Sequence, residues 1–491
     1  FLIPLILFIF SFILRLSLIS KGAFNVDTLF ILTQAEKTLQ TLQLQYSYGF
    51  GFPGTVILAS IFIFTLGLLS VHDSVFAFNF MSAFFSSLSI PVLYLIVKKL
   101  FDPLTALLGA VLLSFLPSFL GLSVYGNTHT PCLFFLLLGI LLLLLYKDSG
   151  EKGHIILSAI SVGLMGGSRL QDMFFMLIPL GYLLYSIHKK NTQSSLTKNL
   201  ILFLPLSLGV AFALHIPIAI DNLSNYQGNL SSYWELGVTN LYKGFYPKAL
   251  QHSLNIALFN FTALGIIGSA LGLCLLFRKS FKTAVFLFLW FLVPYSFYGN
   301  LSSTTSRFLV ISFLPMAIAL AFLLGNALQN RRLLKYVYIL IFASILLIPF
   351  NRIYPVLNFR HHYDPIGDFA RWVKDNTPPG SIIITADDGP FLGYYGKRRF
   401  IYQLASVYSP IKAEQFANFK SAIDKLLLEG KNIYVTGTGI FANNPDDRFY
   451  KFLLENYDLF FVGGRMINNF HLGEIYEDLF FNELLRIKQK S

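Results

Sequence analysis

Charged residues are scarce in this sequence. Lys, Arg, Asp and Glu supply only 13% of the 491 residues, whereas hydrophobic residues supply 55% and aromatic residues 16%. No soluble core of this length needs so much apolar surface, so the composition excludes an ordinary soluble protein. Apolar runs recur from Phe1 to about Phe350, each near the length of about 17–25 residues that crosses a bilayer. We therefore predict a polytopic α-helical membrane protein followed by a water-soluble domain.

Cysteine is almost absent. The two cysteines, Cys132 and Cys274, both fall inside apolar runs, so neither a disulfide framework nor a cysteine-based metal site is indicated. The net charge of +12 would suit a nucleic-acid-binding protein. However, the Lys and Arg residues form short clusters between apolar runs, where the positive-inside rule places them. No nucleic acid partner is therefore expected.

These basic clusters predict the topology. They lie in connections between apolar runs, and we place all of these connections in the cytoplasm. The result is about eleven transmembrane helices plus interfacial helices, with the chain from Asn351 onward outside the cytoplasm. We thus predict a transmembrane domain of residues 1–350 and an extracytoplasmic domain of residues 351–491. The basic residues are Lys98 and Lys99; Lys147 and Lys152; Lys189, Lys190 and Lys198; Arg278, Lys279 and Lys282; and Arg331, Arg332 and Lys335.

The apolar run from Val56 to Ser70 is short for a span, with Pro53 and Gly54 just before it. It predicts either a short transmembrane helix or a helix lying in the membrane interface. If the run crosses the membrane, Asp27 faces the cytoplasm; if it lies in the interface, Asp27 faces outward. We favour the interfacial alternative.

The chain beyond Asn351 alternates predicted helices and strands. Helical spacing covers Asp364–Asn376, Ile411–Leu428 and Asp447–Asn456. The segments "SIIITAD", "NIYVTG" and "LFFVGG" have the pattern of buried strands. This order predicts a small α/β domain with some parallel strand pairing.

The predicted outer loops gather polar residues on one side of the membrane. A charged group near the bilayer centre costs about 2.5 kcal/mol or more, so charges that persist at membrane level usually mark a site or an ion pair. A carboxylate together with several cations suits a phosphate-bearing substrate. The residues are Asp27, His129, Arg169, Asp172, Lys243 and Arg307.

Asp27 opens the segment "DTLFILTQAEKTLQTL", whose spacing predicts an amphipathic interfacial helix. An Asp at a helix start is stabilised by the free N–H groups there, so a plain helix cap is one interpretation. The other is a general base that takes the proton of an acceptor hydroxyl as it attacks a sugar carbon.

The cationic candidates also have two interpretations each. Arg307 either binds a phosphate through its planar fork or anchors its helix at the interface. Arg169 and Asp172 are three residues apart and favour a local ion pair. Lys243 lies in an aromatic-rich loop where interfacial anchoring competes with catalysis. His129 is either a metal ligand or, as we favour, a lone polar histidine.

Several segments carry a family resemblance. They are "FNVDTLFILTQAEKTL", "YGFGFPGTVILASIFIFTLG", "AFNFMSAFFSSLSIPVLYLIVKKLFDPLTALLGAVLLSFLPSF", "GLMGGSRLQDMFFMLIP", "STTSRFLVISFLP" and "NTPPGSIIITAD". In this order and spacing, the chain resembles the lipid-phosphosugar-dependent glycosyltransferases of the GT-C fold. Within that fold it resembles the group of dolichyl-phosphate-mannose protein mannosyltransferases and bacterial aminoarabinose transferases.

The resemblance implies a catalytic Asp at Asp27 and an interfacial helix at Val56–Ser70. It also implies a polyprenyl-phosphate sugar donor that enters from the lipid. By position, Arg307 and Arg169 would bind its phosphate, with Lys243 as a further candidate. His129, Asp172 and Asn79 are candidate substrate-binding residues, although Asn79 stands where many relatives have a basic residue. No cofactor is assigned, and binding of a divalent metal ion is left open.

These features predict an enzyme, a glycosyltransferase that transfers a hexosyl or pentosyl group at the extracytoplasmic face. The transfer would invert the anomeric configuration of the sugar. Its acceptor would be a protein, a lipid or a glycan, and the outer domain would help to admit or select it. The expected location is the plasma membrane of a prokaryote or the endoplasmic reticulum of a eukaryote. The alternatives are a transporter or flippase of lipid-linked sugars and a non-catalytic membrane scaffold.

Overall fold

The fold is described from a computed structural model of the chain. The structure describes residues 2–46, 52–188, 196–221, 247–301, 304–330, 335–386, 388–403, 413–441, 448–465 and 482–490. By its contacts the chain divides into two compact units. The first, the helical unit, contains Phe1–Ser20 and Gln34–His361, and the second, the sheet unit, contains Lys21–Thr33 and His362–Ser491.

Up to His362, the secondary structure of the described residues is helical. The helices are α1 (Leu2–Leu16), α2 (Val26–Thr41), α3 (Pro53–Leu68), α4 (Ser74–Leu100), α5 (Pro103–Phe115), α6 (Pro117–Ser123), α7 (His129–Ser149), α8 (Lys152–Ser168), α9 (Leu170–His188), α10 (Leu196–Asp221), α11 (Pro247–Lys279), α12 (Phe281–Tyr298), α13 (Ser306–Asn330) and α14 (Lys335–His362).

The chain is an integral membrane protein. Within the described residues, eight helices are long and apolar enough to cross a membrane, or nine if the bent pair α5 and α6 forms one span. Each of the eleven predicted spans coincides with a helix or with this pair, but α1 and α8 have only 15 and 17 residues. The polytopic helical fold is thus confirmed, and the number of eleven spans stays a prediction.

Side-chain caps and prolines set the helix ends. The Asp73 carboxylate accepts hydrogen bonds from the backbone N–H groups of Val75 and Phe76 at the start of α4. Such caps satisfy N–H groups that have no partner inside the helix. Pro117 follows α5, and the chain bends there by 61° into α6. In α11 the ladder breaks at Thr262, whose φ is 60°.

Helix α3 covers most of the run from Val56 to Ser70. It has 16 residues and begins with Pro53 in the first turn, which suits the fixed φ of proline. Its first half is buried, whereas Phe64 and Leu68 in its second half are 56% and 70% exposed. The helix therefore presents its apolar second half outward, and its interfacial placement stays a prediction.

The sheet unit has the expected α/β organisation. Its strands are β1 (Ile382–Thr385), β2 (Arg399–Tyr402), β3 (Ile433–Thr436), β4 (Tyr457–Arg465) and β5 (Asn482–Gln489), in the sheet order β2-β1-β3-β5-β4. Strand β1 pairs in parallel with β2 and β3, and β5 pairs antiparallel with β3 and β4. The three predicted strands coincide with β1, β3 and β4, so the predicted partial parallel pairing is confirmed.

Helices pack on this sheet. They are α15 (Pro365–Asn376), α16 (Gly389–Tyr394), α17 (Ala413–Leu428), α18 (Gly437–Phe441) and α19 (Arg448–Asn456). The three predicted helices correspond to α15, α17 and α19; residues 411, 412 and 447 lie outside the described residues. The core contains Ile384, Val435, Ile487, Phe449 and Leu453, all at most 1% exposed. Burial of both sheet faces explains why β1 and β3 are continuously apolar.

Segment Lys21–Thr33 belongs to the sheet unit rather than to the helices around it in sequence. Gly22 lies against the carboxylate of Asp364, so closely that a Cβ at this position would be 2.2 Å from Oδ1. The Asp364 side chain is itself fixed, because it accepts a hydrogen bond from the Gly367 N–H (3.2 Å) and one from Arg371 (3.1 Å). Glycine is therefore required at position 22.

We expect Gly22→Ala to destabilise the sheet unit, because the added methyl group would collide with a carboxylate that cannot move away. Overpacking of this kind typically costs about 1–3 kcal/mol. The thermal unfolding midpoint of the purified chain measures the effect. Gly67→Ala is the matched control, since a methyl group there would meet no atom within 4 Å. Equal midpoints for the two variants would contradict the proposed close contact.

Candidate functional site

Asp27 lies in the first turn of α2, half-buried, within the sheet unit. The residue before the helix, Asn25, supplies the cap: its side-chain oxygen accepts the backbone N–H of Asp27 at 2.8 Å. Phe24, which is buried, has a φ of 49°, a conformation that is costly for a bulky residue. The capping role that the sequence offered to Asp27 therefore falls on Asn25.

In the helical unit, a buried polar group is centred on Arg169, at the break between α8 and α9. Its backbone is extended there, with φ −153° and ψ 94°, so the side chain leaves the helix axis. The guanidinium is only 4% exposed. Its Nε donates to the Asp172 carboxylate at 2.6 Å, and its Nη1 donates to Thr128 Oγ1 at 3.1 Å and lies 3.2 Å from His129 Nε2. The predicted local ion pair between Arg169 and Asp172 is thus confirmed.

Asp172 binds partners from two other helices. It lies in the first turn of α9, where the helix dipole stabilises a negative charge. The Tyr298 hydroxyl, at the end of α12, donates to Oδ1, and the Cys132 thiol of α7 lies 3.7 Å from Oδ2. Asp172 and Tyr298 are 4% and 2% exposed. The carboxylate therefore links α7, α9 and α12 in a buried region.

The Phe308 ring of α13 contacts both Arg307 and the group formed by Arg169, Asp172 and Tyr298. It stacks on Tyr298 with ring centroids 5.3 Å apart, and its centroid lies 5.6 Å from Arg169 Cζ and 5.0 Å from Arg307 Cζ. Cation–π contacts of this kind are worth about 0.5–2 kcal/mol. Two like charges around one ring repel each other. Counted over the described residues named here, this group and Arg307 together have two guanidinium groups and one carboxylate.

Asn127 positions His129. Its side-chain oxygen accepts the backbone N–H groups of His129 (2.9 Å) and Thr130 (3.1 Å), so it caps α7. Its side-chain amide donates to the carbonyl oxygens of Leu122 (2.6 Å) and Tyr125 (2.7 Å). One amide thus fixes both the turn before α7 and the histidine at its start.

Several buried polar atoms without a hydrogen-bond partner in the described structure belong to Arg169 or to residues next to it and its contacts. They include the second terminal nitrogen of its guanidinium, Nη2, and the hydroxyls of Ser168, Thr130 and Thr55. Ser168 precedes Arg169, and Thr130 follows His129. Thr55 follows Gly54. The Cα of Gly54 packs so closely against the backbone of Gly167 and Ser168 that a Cβ would not fit. A buried group left without a partner typically costs about 1–3 kcal/mol. Donors of this kind, beside a cation, are suited to an anion.

The structure brings together His129, Arg169 and Asp172, and it places Arg307 beside them through Phe308. Asn79 has a different environment. It is fully buried; its amide donates to the Ser20 carbonyl at 2.8 Å and accepts the Gly126 N–H at 2.7 Å. These bonds join α4 to two loops, and a role of Asn79 in substrate binding stays a prediction. Lys243 lies outside the described residues.

Metal ligands do not group in the described part of the chain, where no three His, Cys, Asp or Glu side chains are placed to hold an ion. His129 is instead engaged with Arg169, at 3.2 Å, and with the edge of Phe308. The structure therefore favours the interpretation of His129 as a polar partner of the arginine.

Sequence reasoning missed four members of this group, namely Tyr298, Phe308, Asn127 and Thr128. Tyr298 ends the apolar helix α12, and Phe308 lies in the first turn of the apolar helix α13. Aromatic residues at such positions are common interface anchors. Asn127 and Thr128 lie in "VYGNTHTP", and a Thr or Asn before a helix is a recognisable cap signal. That signal predicts the cap, but it does not predict the contact with Arg169.

Comparisons with known proteins bear on the fold. Residues 58–219, about a third of the chain, match the family model described as dolichyl-phosphate-mannose-protein mannosyltransferase. No curated protein matches the sequence. Among solved structures, ArnT from Cupriavidus metallidurans bound to undecaprenyl phosphate has a TM-score of 0.66 and 11% identity, covering 99% of this chain and 97% of that one. The chain has the GT-C fold.

A second structure has the same fold. The archaeal oligosaccharyltransferase AglB from Archaeoglobus fulgidus, in complex with an inhibitory peptide and a dolichol-phosphate, has a TM-score of 0.62 and 15% identity. The match covers 93% of this chain and 72% of that chain. The GT-C fold that the sequence resemblance implied is therefore confirmed.

We expect Asp172→Asn to destabilise the helical unit strongly, because it leaves the buried Arg169 without a counter-charge. Breaking a buried ion pair on one side typically costs about 3–5 kcal/mol. Tyr298→Phe removes one hydrogen bond to a charged group and should cost less, about 1.5–3 kcal/mol. Unfolding of the purified chain in mixed micelles measures both.

The control is Asp148→Asn, which breaks an exposed ion pair with Lys99 and should cost about 1 kcal/mol or less. The double variant Arg169→Gln/Asp172→Asn should lose less stability than the two single variants added together. Additive losses would show that the two side chains do not stabilise each other.

Proposed function

We propose that this protein is a glycosyltransferase that moves one sugar from a polyprenyl-phosphate donor to an acceptor at the outer membrane face. The observation that carries the proposal is the Arg169 guanidinium. It is buried, it is held on one side by Asp172, Thr128 and His129, and its Nη2 has no partner in the described structure. A guanidinium fixed in this way is prepared to donate to a phosphate oxygen.

The fold agrees with this substrate class. Two solved structures with the same fold are described with a polyprenyl-type lipid phosphate, undecaprenyl phosphate in ArnT and a dolichol-phosphate in AglB. Residues 58–219 match a family whose description names a dolichyl-phosphate sugar. In this chain, the donor would partition into the bilayer through its prenyl tail, and its phosphate would bind Arg169 and Arg307.

The proposed reaction is a single displacement. An acceptor oxygen or nitrogen forms a bond to the anomeric carbon of the sugar, while the bond from that carbon to the phosphate oxygen breaks. The electron pair leaves with the phosphate, whose negative charge develops in the transition state. Preorganised donors stabilise that charge more than they stabilise the substrate. One displacement inverts the anomeric configuration.

Asp27 is the proposed general base, which takes the proton from the acceptor. A carboxylate at the start of a helix stays ionised and can accept a proton only from a group whose acidity rises during attack. Asn25 already caps α2, so the helix does not depend on Asp27 for its cap. The acceptor is a protein, a lipid or a glycan, and the sheet unit is proposed to help select it.

We expect Arg307→Gln to weaken binding of a polyprenyl phosphate. Loss of a charge-assisted hydrogen bond costs about 1.5–3 kcal/mol, which corresponds to a Kd about 10–150-fold higher. Undecaprenyl phosphate and dolichyl phosphate, without any sugar, are the probes, titrated against the chain in nanodiscs. Arg307→Lys, which keeps the charge, should lose less. The control is Arg352→Gln, an exposed arginine on α14; equal losses for Arg307→Gln and Arg352→Gln would refute the assigned role.

Asp27→Asn should abolish turnover while leaving donor binding unchanged, because the amide keeps the shape of the side chain but cannot accept the proton. The expected loss is about 100-fold or more in kcat, the usual contribution of a positioned base. Transfer from a radiolabelled polyprenyl-phosphate sugar measures it. Glu36→Gln, on the same helix, is the control. Full turnover by Asp27→Asn would remove this residue from the mechanism.

A further inference from the structure

A partly polar cavity lies in the helical unit, and none of its lining residues belongs to the group around Arg169. It has a volume of about 190 Å³ and lies where α4, α7 and α9 end and α12 begins. By the positive-inside rule this end of the bundle is the predicted cytoplasmic face. We call it the lysine cavity. Its lining residues are Leu100, Leu144, Lys147, Leu183, Ser186, Ile187, Ser280, Lys282, Thr283 and Phe286.

The lining combines positive charge with an apolar wall. Lys147 and Lys282 supply the charge, and none of the described residues that line the cavity is an Asp or a Glu. The nearest acid in sequence, Asp148, is paired with Lys99. Ser280 and Thr283 contribute hydroxyls that lie 2.8 Å from each other. The described lining therefore carries net positive charge and includes hydrogen-bonding hydroxyls.

The rest of the lining is apolar and buried. Leu144, Leu183, Ile187 and Phe286 are all at most 5% exposed. Nearby side chains are exposed aromatics: Tyr185, just before Ser186, is 46% exposed, and Phe281, just before Lys282, is 65% exposed. Aromatic residues of this kind are typical of the level of lipid headgroups. The cavity thus lies where a headgroup would meet protein.

The size of the cavity limits the ligand. Pockets for whole drug-sized ligands have volumes of about 300–1,000 Å³, and this cavity, at about 190 Å³, is smaller. It suits a phosphate-bearing headgroup rather than a nucleotide. Basic pockets between transmembrane helices at the cytoplasmic side are suited to anionic lipid headgroups.

We propose that the lysine cavity binds the phosphate headgroup of an anionic phospholipid, with Lys147 and Lys282 as the cationic contacts. The first turn of α12, which contributes Lys282 and Thr283, adds the positive potential of its free N–H groups. The acyl chains of this lipid lie along the outside of the bundle. This lipid is separate from the sugar donor, and its site does not use the residues around Arg169.

The test compares three probes on the full chain in detergent by native mass spectrometry: phosphatidylglycerol, phosphatidylcholine and inorganic phosphate. Phosphatidylglycerol should bind more tightly than phosphatidylcholine. The variant Lys147→Gln/Lys282→Gln should weaken phosphatidylglycerol binding about thirtyfold, since each lysine near an anionic lipid contributes a factor of about five. Lys98→Gln, an exposed lysine at the same end and outside the cavity, should leave it unchanged.

Three results would overturn the proposal. Equal binding of phosphatidylcholine would show that charge is not recognised, and unchanged affinity in the double variant would place the lipid elsewhere. Inorganic phosphate that binds as tightly as phosphatidylglycerol would assign the cavity to a soluble anion. If the double variant does not fold, Lys282→Gln alone, at an exposed position, should still weaken phosphatidylglycerol binding about fivefold, and no loss would be equally decisive.

Discussion

Arg169 and Asp172 form a buried ion pair, with side chains only 4% and 5% exposed, and the arrangement of the helical unit around the site follows from this contact. Both charges lose their hydration when they are buried, and their mutual attraction compensates only if their other hydrogen-bonding groups are also satisfied. Tyr298 and Thr128 supply such groups from separate elements. The pair therefore requires α7, α9 and α12 to meet with fixed geometry. The pair leaves one nitrogen of Arg169, Nη2, without a hydrogen-bond partner in the described structure. This nitrogen is the one proposed to bind a ligand.

The sequence predicts those parts of this arrangement that depend on local spacing. Arg169 and Asp172 are three residues apart at a helix junction, so their pairing follows from helix geometry. The apolar runs predict the helices, and the continuously apolar segments predict β1, β3 and β4. Contacts between distant segments follow no such rule. Phe308 lies between two arginines because three helices meet there, and β5, "NELLRIKQ", is too polar to be recognised before its pairing with β3 is known.

The same distinction applies to the proposed catalytic residue. Its position after the first apolar run and its helical surroundings are visible in the sequence. That Asn25 takes the capping role, and that Gly22 lies against Asp364, depends on side-chain directions and on a contact across more than three hundred residues. Local spacing therefore predicts that Asp27 lies at a helix start, the family resemblance supplies its proposed catalytic role, and tertiary packing determines how it is held.

The grouping of Lys21–Thr33 with the chain beyond His362 affects how the protein can be dissected. Truncation at the end of α14 is the simplest way to separate the proposed acceptor selection from the proposed sugar transfer. It would also remove Asp364, against which Gly22 packs, and so take away the support of the segment that contains Asp27. An inactive truncated protein would thus carry no information on acceptor choice, and chimaeras that exchange surface loops of the sheet unit are the informative alternative.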